Sequence, residues 1–167
     1  MSATSLKFTY EKDRLTPYEQ HMNNVANILQ SYRNDPYVFV APCLEQDKKE
    51  NDIVWKNFAD CCTSIKRDKE HVYYYITKRV VNQEEDNEED DEEKDNEKEK
   101  EAIFPASMSK YDIIKLYKDY IHTFVTCCMC KSNRSLLEKN IPNQFYILYC
   151  ANCFCTMPVE KIKLYPV

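Results

Sequence analysis

Six of the chain's nine cysteines fall between residues 127 and 155. Four of them form two Cys-x-x-Cys pairs with 19 residues between the pairs. Each pair bends the backbone into a knuckle that aims two thiolates at one ion, and two knuckles make the tetrahedral sulfur set that Zn²⁺ prefers. The predicted zinc ligands are Cys127, Cys130, Cys150 and Cys153. Because four thiolates leave no open position for water or substrate, the predicted site is structural.

Other interpretations of the cysteines are weaker. Cys128 and Cys155 lie beside the predicted ligands and could compete for the ion, but they do not share both standard spacings. The first residues, MSATSLKFTYEKD, contain no apolar segment behind a basic flank, and no run approaches the roughly 18 apolar residues of a membrane span. We therefore expect no membrane association and a cytoplasmic protein, in a compartment where thiols stay reduced and bind metal rather than form disulfides. Cys43, Cys61 and Cys62 have no partner pattern and are predicted to be core residues.

The elements around the predicted ligands describe a small zinc ribbon. Residues 135–139 and 144–149 are predicted strands between the two knuckles, and 156–163 could add a third. A module of about 40 residues is too small to build a sufficient core, so the metal would supply much of its folding energy.

Upstream of the ribbon, the sequence predicts a separate helix and a small mixed domain. Thr16-Pro17-Tyr18-Glu19 has the spacing of a capping box and opens an amphipathic helix of about 17 residues. Two β-prone runs follow at 37–40 and 52–55, then helices over 59–66, capped by Asn57, and over 69–80. A strand at 102–105 and a helix capped by Ser109 complete the set. The predicted class is α+β, with an N-terminal partner-binding helix in 1–34, a central α/β domain in 35–125 and a zinc ribbon in 126–167.

An acidic tract interrupts the central domain. Residues 84–101 hold 13 acidic residues and 3 lysines, a net charge of −10, so the rest of the chain carries +5 although the whole carries −5. Such a tract cannot bury enough apolar surface to offset its ordering entropy, and we predict a disordered insertion. The chain also has no glycine, so asparagines are expected at left-handed turn positions. An AT-rich coding sequence would explain both this absence and the abundance of Lys, Asn, Ile and Tyr.

The sequence shows no recognisable set of catalytic residues. The histidines, His21, His71 and His122, fall on separate predicted helices without a nucleophile motif beside them, and a phosphate loop would need glycine. We therefore expect a protein that is not an enzyme.

Three segments of the chain resemble a known family. One of them is similar to the end of the beta subunit of eukaryotic and archaeal translation initiation factor 2. It reads IIKLYKDYIHTFVTCCMCKSNRSLLEKNIPNQFYILYCANC. The family's Phe-Val-Asn-Phe-x-Asp-Ile-Cys segment resembles Val54-Trp55-Lys56-Asn57-Phe58-Ala59-Asp60-Cys61-Cys62 of this chain. Residues 18–29 resemble the family's first helix. The related amino-terminal domain of initiation factor 5 carries a catalytic arginine in Asp-x-Phe-Tyr-Arg-Tyr. The segment here that aligns best, 35–40, has no arginine, which favours the beta-subunit type.

The resemblance implies partners and site residues. The first helix would bind the gamma subunit, which binds the GTP, through its apolar stripe of Tyr18, Met22, Val25 and Leu29; packing of this stripe on the chain's own core is the alternative. The ribbon would work near the initiator tRNA, the mRNA start codon and the ribosome. Its candidate RNA-contacting cations are Lys131, Arg134, Lys139, Lys161 and Lys163.

Alternative functions keep the fold and change the partner. A nucleic-acid-binding zinc ribbon of the transcription type would share the four cysteines but would not require the first helix. An interaction protein that sequesters a host signalling partner would keep the fold without the RNA role. The chain resembles an archaeal-length or minimal version of the beta subunit, and its AT-rich composition is compatible with a parasite or a large virus that steers host initiation.

Overall fold

The computed structural model describes residues 16–35, 37–48, 51–81, 101–140 and 145–159. Its helices are α1 (Pro17–Asn34), α2 (Phe58–Ser64), α3 (Lys69–Val81) and α4 (Lys110–Phe124). Its strands are β1 (Leu44–Gln46), β2 (Ile53–Trp55), β3 (Ala102–Phe104), β4 (Ser135–Asn140), β5 (Phe145–Cys150) and β6 (Thr156–Val159). They form two antiparallel three-stranded sheets, β1-β2-β3 and β4-β5-β6. The predicted α+β class is confirmed. Most of the predicted acidic insertion, residues 84–100, lies outside the described residues, as do Lys161 and Lys163.

The predicted caps of α1 and α4 are both present. The backbone N–H of Glu19 donates to the Thr16 hydroxyl at 3.2 Å, and the N–H of Thr16 donates to the Glu19 carboxylate at 2.8 Å. Ser109 and Asp112 make the same reciprocal pair at the start of α4. These local hydrogen bonds satisfy backbone donors that the first helical turn leaves unpaired, which fixes where each helix begins.

The strand predicted at 37–40 is wrong. Asn57 occupies the N-cap position of α2, as predicted, but its side chain does not bond to the first helical turn. The Asn57 amide instead accepts from the N–H of Cys43 at 2.8 Å and from the Trp55 indole at 3.0 Å, and it donates to the Ala41 carbonyl at 2.9 Å. The Asn57 side chain therefore binds backbone groups of residues 41 and 43, and residues 37–40 are not part of the sheet. Cys43 is exposed, against expectation, whereas Cys61 and Cys62 are buried as predicted.

The main core lies between the first sheet, helices α2 to α4 and the ribbon. Trp55 is fully buried, with the Phe58 and Tyr117 rings edge-on at 5.1 and 4.9 Å. The same apolar cluster continues into the ribbon through Leu148 and Val159. Residues on both sides of the predicted boundary at residue 126 thus share one hydrophobic core.

Arg67 is buried where the central domain meets the ribbon, with 8% of its surface exposed. Its guanidinium donates to the carbonyl of Phe124 at 2.7 and 3.0 Å, to those of Ile65 and Lys66, and to the carbonyl and hydroxyl of Ser135 at 2.9 and 2.7 Å. Among the described residues no carboxylate forms an ion pair with it. The buried charge is therefore stabilised by peptide dipoles from the end of α2, the end of α4 and the start of β4.

The turn that delivers Arg67 is a helix terminus with a lysine where glycine is usual. Lys66 adopts φ 54°, its N–H donates to Thr63, and the N–H of Arg67 donates to Cys62. This is the hydrogen-bond pattern of a Schellman C-cap. A left-handed lysine costs about 1–2 kcal/mol relative to the right-handed region.

Replacing Arg67 should destabilise the fold, because its guanidinium joins these three segments. We expect Arg67→Met to lower the free energy of unfolding by about 3–5 kcal/mol, because several buried carbonyls lose their donors together. Arg79→Met, which changes an exposed arginine of α3, should cost less than about 1 kcal/mol. Urea unfolding of both variants measures the difference, and equal small losses would show that the Arg67 network contributes little.

His71 gives the core a pH dependence. It is buried, its Nδ1 lies 2.7 Å from the Tyr120 hydroxyl, and the Tyr146 ring is 4.7 Å away. Burial lowers the pKa of His71 to about 4, with a further contribution from the positive charge of Arg67 and opposition from Asp68. The unfolded chain takes up this proton near pH 6.5 and the native chain only near pH 4, so stability present above pH 6.5 is lost as the pH falls towards 4.

Between pH 7 and pH 5 the wild-type protein should therefore lose about 2 kcal/mol more stability than His71→Phe. Denaturant unfolding at the two pH values, with the same metal content in both proteins, measures this difference. The comparison cancels the titration of the cysteines and carboxylates that both proteins share. Equal losses in the two proteins would mean that His71 does not carry the effect.

Candidate metal centre and docking stripe

The four predicted zinc ligands converge in space. Their sulfur atoms all lie within 4.8 Å of one another, and within the described part of the chain this is the group with the donor set of a metal site. The Sγ atoms of Cys130 and Cys150 are 3.5 Å apart, and those of Cys127 and Cys153 are 3.6 Å apart. A tetrahedral zinc ion with sulfurs at about 2.3 Å requires sulfur–sulfur distances near 3.8 Å. The cluster therefore fits a single tetrahedral ion.

The two knuckles have the same backbone hydrogen bonds. In the first, the N–H of Lys131 donates to the Cys127 carbonyl at 2.9 Å; in the second, the N–H of Phe154 donates to Cys150 at 3.0 Å. Each loop is closed by a second bond, from Cys127 to Ser132 and from Cys150 to Cys155. These turns hold the first and last cysteine of each pair on the same side of the loop.

Each knuckle ends on a residue in the left-handed region. Lys131 has φ 58° and Phe154 has φ 59°. The expected asparagines do not fill these positions; among the described residues, Asn51 is the one asparagine with positive φ. The left-handed backbone of Lys131 and Phe154 was not predicted, because the expectation rested on residue type. The feature that indicates it is the position immediately after the second cysteine of each pair.

The thiols differ in how easily they ionise. Burial disfavours the Cys127 thiolate, but donors from the Cys130 and Met129 backbone and the neighbouring thiols outweigh it and lower its pKa to about 6. Burial raises the pKa of Cys150 to about 12. Four thiolates at this spacing repel one another, so a bound cation is the natural means of ionising all four.

The two additional cysteines occupy different positions. The Cys155 sulfur lies 3.3 Å from that of Cys127, outside the four-sulfur group. Cys128 is exposed, and its thiol contacts the Met157 sulfur at 3.1 Å. Cys155 is thus positioned to compete for the ion, whereas Cys128 points towards β6.

The ribbon sheet has two apolar faces. Leu137, Tyr146 and Leu148 lie on one face, with Met157 and Val159 of β6, and pack into the main core. Leu136, Ile147 and Tyr149 lie on the opposite face and pack against α1. We call this second set the outer ribbon face.

The predicted docking stripe of α1 is divided between ribbon and solvent. Val25 and Leu29 are 4% and 7% exposed and pack on Tyr149 and Ala151. Tyr18 and Met22 are 71% and 37% exposed and line an open cleft of about 650 Å³ against β4 and β5. Two of the four residues are therefore accessible to a partner in this arrangement.

The three candidate RNA-contacting cations that the structure describes are spread along the ribbon. Lys131 is on the first knuckle, and the Arg134 guanidinium donates to the Arg33 carbonyl at 3.2 Å. Lys139 is near the other end of β4, about 16 Å along the strand from Arg134. It lines a cleft with Lys66, Arg67 and His71. Lys161 and Lys163 cannot be placed because they lie outside the described residues.

None of the helices in the described part of the chain combines the length and apolar character needed to cross a bilayer. Fold and site together define an α+β domain joined to a four-cysteine ribbon. The family model of the domain found in initiation factors 2B and 5 matches residues 29–156. The chain belongs to this family, and the resemblance seen in the sequence is confirmed.

Two curated relatives carry related names. "Eukaryotic translation initiation factor 2 subunit 2" of Dictyostelium discoideum is 29% identical over 111 residues, which cover 66% of this chain and 31% of that protein. "Translation initiation factor 2 subunit beta" of Thermoplasma acidophilum is 20% identical over 146 residues, which cover 87% of this chain and 64% of that protein. The chain thus spans less than two thirds of each of these relatives.

Proposed function

We propose that this chain acts in translation initiation as a beta-subunit-like protein of initiation factor 2. It would bind the gamma subunit through α1 and influence initiator tRNA and start-codon selection in the cytoplasm. The observation that carries the proposal is the family match over residues 29–156, which runs from the end of α1 to the start of β6. Its role would be non-catalytic, with GTP bound by the partner.

Zinc is the metal that this site favours. The donor set is four sulfurs, with sulfur–sulfur distances of 3.5 and 3.6 Å across the cluster. Cysteine thiolates in this number and geometry are typical of structural zinc. The ion would hold the two knuckles together and thereby fix β4 and β5 against the main core.

We expect elemental analysis of the purified chain to give one zinc per molecule. Cys150→Ser should lose the metal and the ribbon structure, because the remaining three thiolates bind a structural ion poorly. Cys128→Ser is the matched control and should keep both, since that thiol points away from the cluster. A folded ribbon without metal, in the wild-type protein or in Cys150→Ser, would contradict the zinc proposal.

The gamma-subunit contact is proposed for the exposed end of the α1 stripe. Tyr18 and Met22 present apolar surface to solvent on the helix that the family resemblance assigns to docking. Apolar anchors of an amphipathic helix commonly insert into a groove on the partner. The exposed pair offers a cleaner test than Val25, whose substitution would also disturb packing on the ribbon.

Met22→Asp and Tyr18→Asp should each weaken gamma-subunit binding at least about 10-fold, as expected when an apolar anchor is lost. The thermal transition should stay within a few degrees of wild type because both side chains are exposed. Tyr111→Asp, an equally exposed tyrosine on α4, is the control. Titration calorimetry with the gamma subunit of Dictyostelium discoideum measures the affinity. Unchanged binding by both variants would remove α1 as the docking element.

The ribbon is proposed to approach RNA through its cations. Lys131 is exposed at the tip of the first knuckle. Lysine contacts to phosphate gain from counterion release, so they weaken with salt and carry little sequence preference.

For the zinc-loaded chain and a single-stranded RNA, log K should fall with log salt. Lys131→Ala should reduce the slope by about 0.7 if this lysine neutralises one phosphate. Lys118→Ala changes an exposed lysine of α4, outside the ribbon, and serves as control. Absence of RNA binding at low salt, or a slope unaffected by Lys131→Ala, would contradict the role of this residue.

A further inference from the structure

Helix α1 is held on the outer ribbon face at its middle and near both ends. In the middle, Val25 and Leu29 are buried against Tyr149 and Ala151, with Leu136 and Ile147 partly buried around them. The alternation of side chains along β4 and β5 is responsible, because it gives the ribbon a second apolar face in addition to the one inside the main core.

Polar contacts fasten both ends of the helix. Near its start, His21 Nε2 lies 3.3 Å from the Glu138 carboxylate. Near its end, Arg134 donates to the Arg33 carbonyl at 3.2 Å, and the Arg33 guanidinium lies 5.4 Å from the centre of the Phe154 ring. Phe154 is the left-handed residue of the second knuckle, so α1 contacts a side chain of the loop that carries two of the cysteines.

The central domain adds one further tie. Lys66 Nζ lies 2.7 Å from the Asp35 carboxylate, immediately after α1, and 3.9 Å from the centre of the Tyr32 ring. Lys66 therefore completes the α2 C-cap with its backbone and secures the end of α1 with its ammonium group.

We propose that α1 and the outer ribbon face form a clasp that competes with the partner of α1 for the same apolar stripe. This inference rests on the proposed docking of α1 to the gamma subunit. Val25 and Leu29 cannot be buried against the ribbon and against a partner at once. Tyr18 and Met22 remain accessible and would be contacted first, after which the rest of the stripe would leave the ribbon.

The clasp is built to open without unfolding the ribbon. Its fully buried apolar contact is confined to the middle of α1, and the His21–Glu138 and Arg134–Arg33 contacts are exposed to solvent, where such contacts are weak. The opposite ribbon face stays in the main core through Leu148 and Val159. Release of α1 would thus expose Leu136, Ile147 and Tyr149 on a ribbon that is still attached.

A clasp-weakening substitution on the ribbon side tests this, because it leaves the docking stripe intact. In the zinc-loaded full chain, Leu136→Glu places a charge beneath α1. Amide exchange of residues 17–34 should become faster. If one molecule in ten is open in the wild type, affinity for the gamma subunit of Dictyostelium discoideum should rise about 10-fold, since a closed fraction reduces apparent affinity in proportion.

Two further variants keep the result interpretable. Tyr111→Glu adds the same charge at an exposed position of α4, outside the ribbon, and should change neither exchange nor affinity. If Leu136→Glu loses its zinc, Ile147→Gln provides a milder change on the same face and should shift both measurements in the same direction.

Unchanged exchange in α1 would overturn the clasp. Faster exchange with unchanged or weaker gamma-subunit affinity would overturn the competition, because the ribbon face would then be irrelevant to docking or part of the docking surface. If neither the wild type nor any variant binds the gamma subunit, the proposed docking function fails and the competition fails with it. Amide exchange, which needs no partner, still reports separately whether the clasp exists.

Discussion

The guanidinium of Arg67 is the contact on which the relative placement of the parts depends. It bonds to carbonyl groups at the end of α2 and the end of α4 and to Ser135 at the start of β4. Burial lowers the pKa of Arg67, but the several oxygens around it stabilise the charged form. Guanidinium suits this position because its planar set of donors can serve several acceptors at once, which a lysine ammonium on a flexible stem cannot do with the same geometry.

The ribbon transmits that placement to the rest of the molecule. Because one of its faces packs in the main core and the other carries α1, the ribbon sheet is the middle layer of three. The cysteine cluster closes the end of this layer, where the Phe154 ring of the second knuckle also contacts the Arg33 guanidinium. The cysteine cluster, the main core and the first helix are therefore connected by direct contacts, even though they lie far apart in the sequence.

Features set by local residues could be predicted from the sequence, and features set by distant contacts could not. The caps of α1 and α4 and the two knuckles depend on residues three to five apart, and their spacing is visible in the chain. The run 37–40 has the residue types of a strand, but its neighbour Ala41 bonds to Asn57, a partner 16 residues away. Nothing in the sequence around Arg67 indicates that it would be buried, because its acceptors include residues up to 68 positions distant. The same holds for the second face of the ribbon, which only the packing of α1 reveals.

The left-handed turns at Lys66, Lys131 and Phe154 also constrain how this chain can evolve. Glycine would relieve the steric cost at each position. No single base change converts a lysine or phenylalanine codon into a glycine codon. The intermediates for lysine include arginine and glutamate, and those for phenylalanine include valine and cysteine. Valine is poorly suited to a left-handed backbone, and a cysteine at position 154 would place another thiol beside the metal cluster. Glycine is thus reached at these positions only through two base changes. Until then, neighbouring contacts must compensate for the steric cost of the left-handed turns.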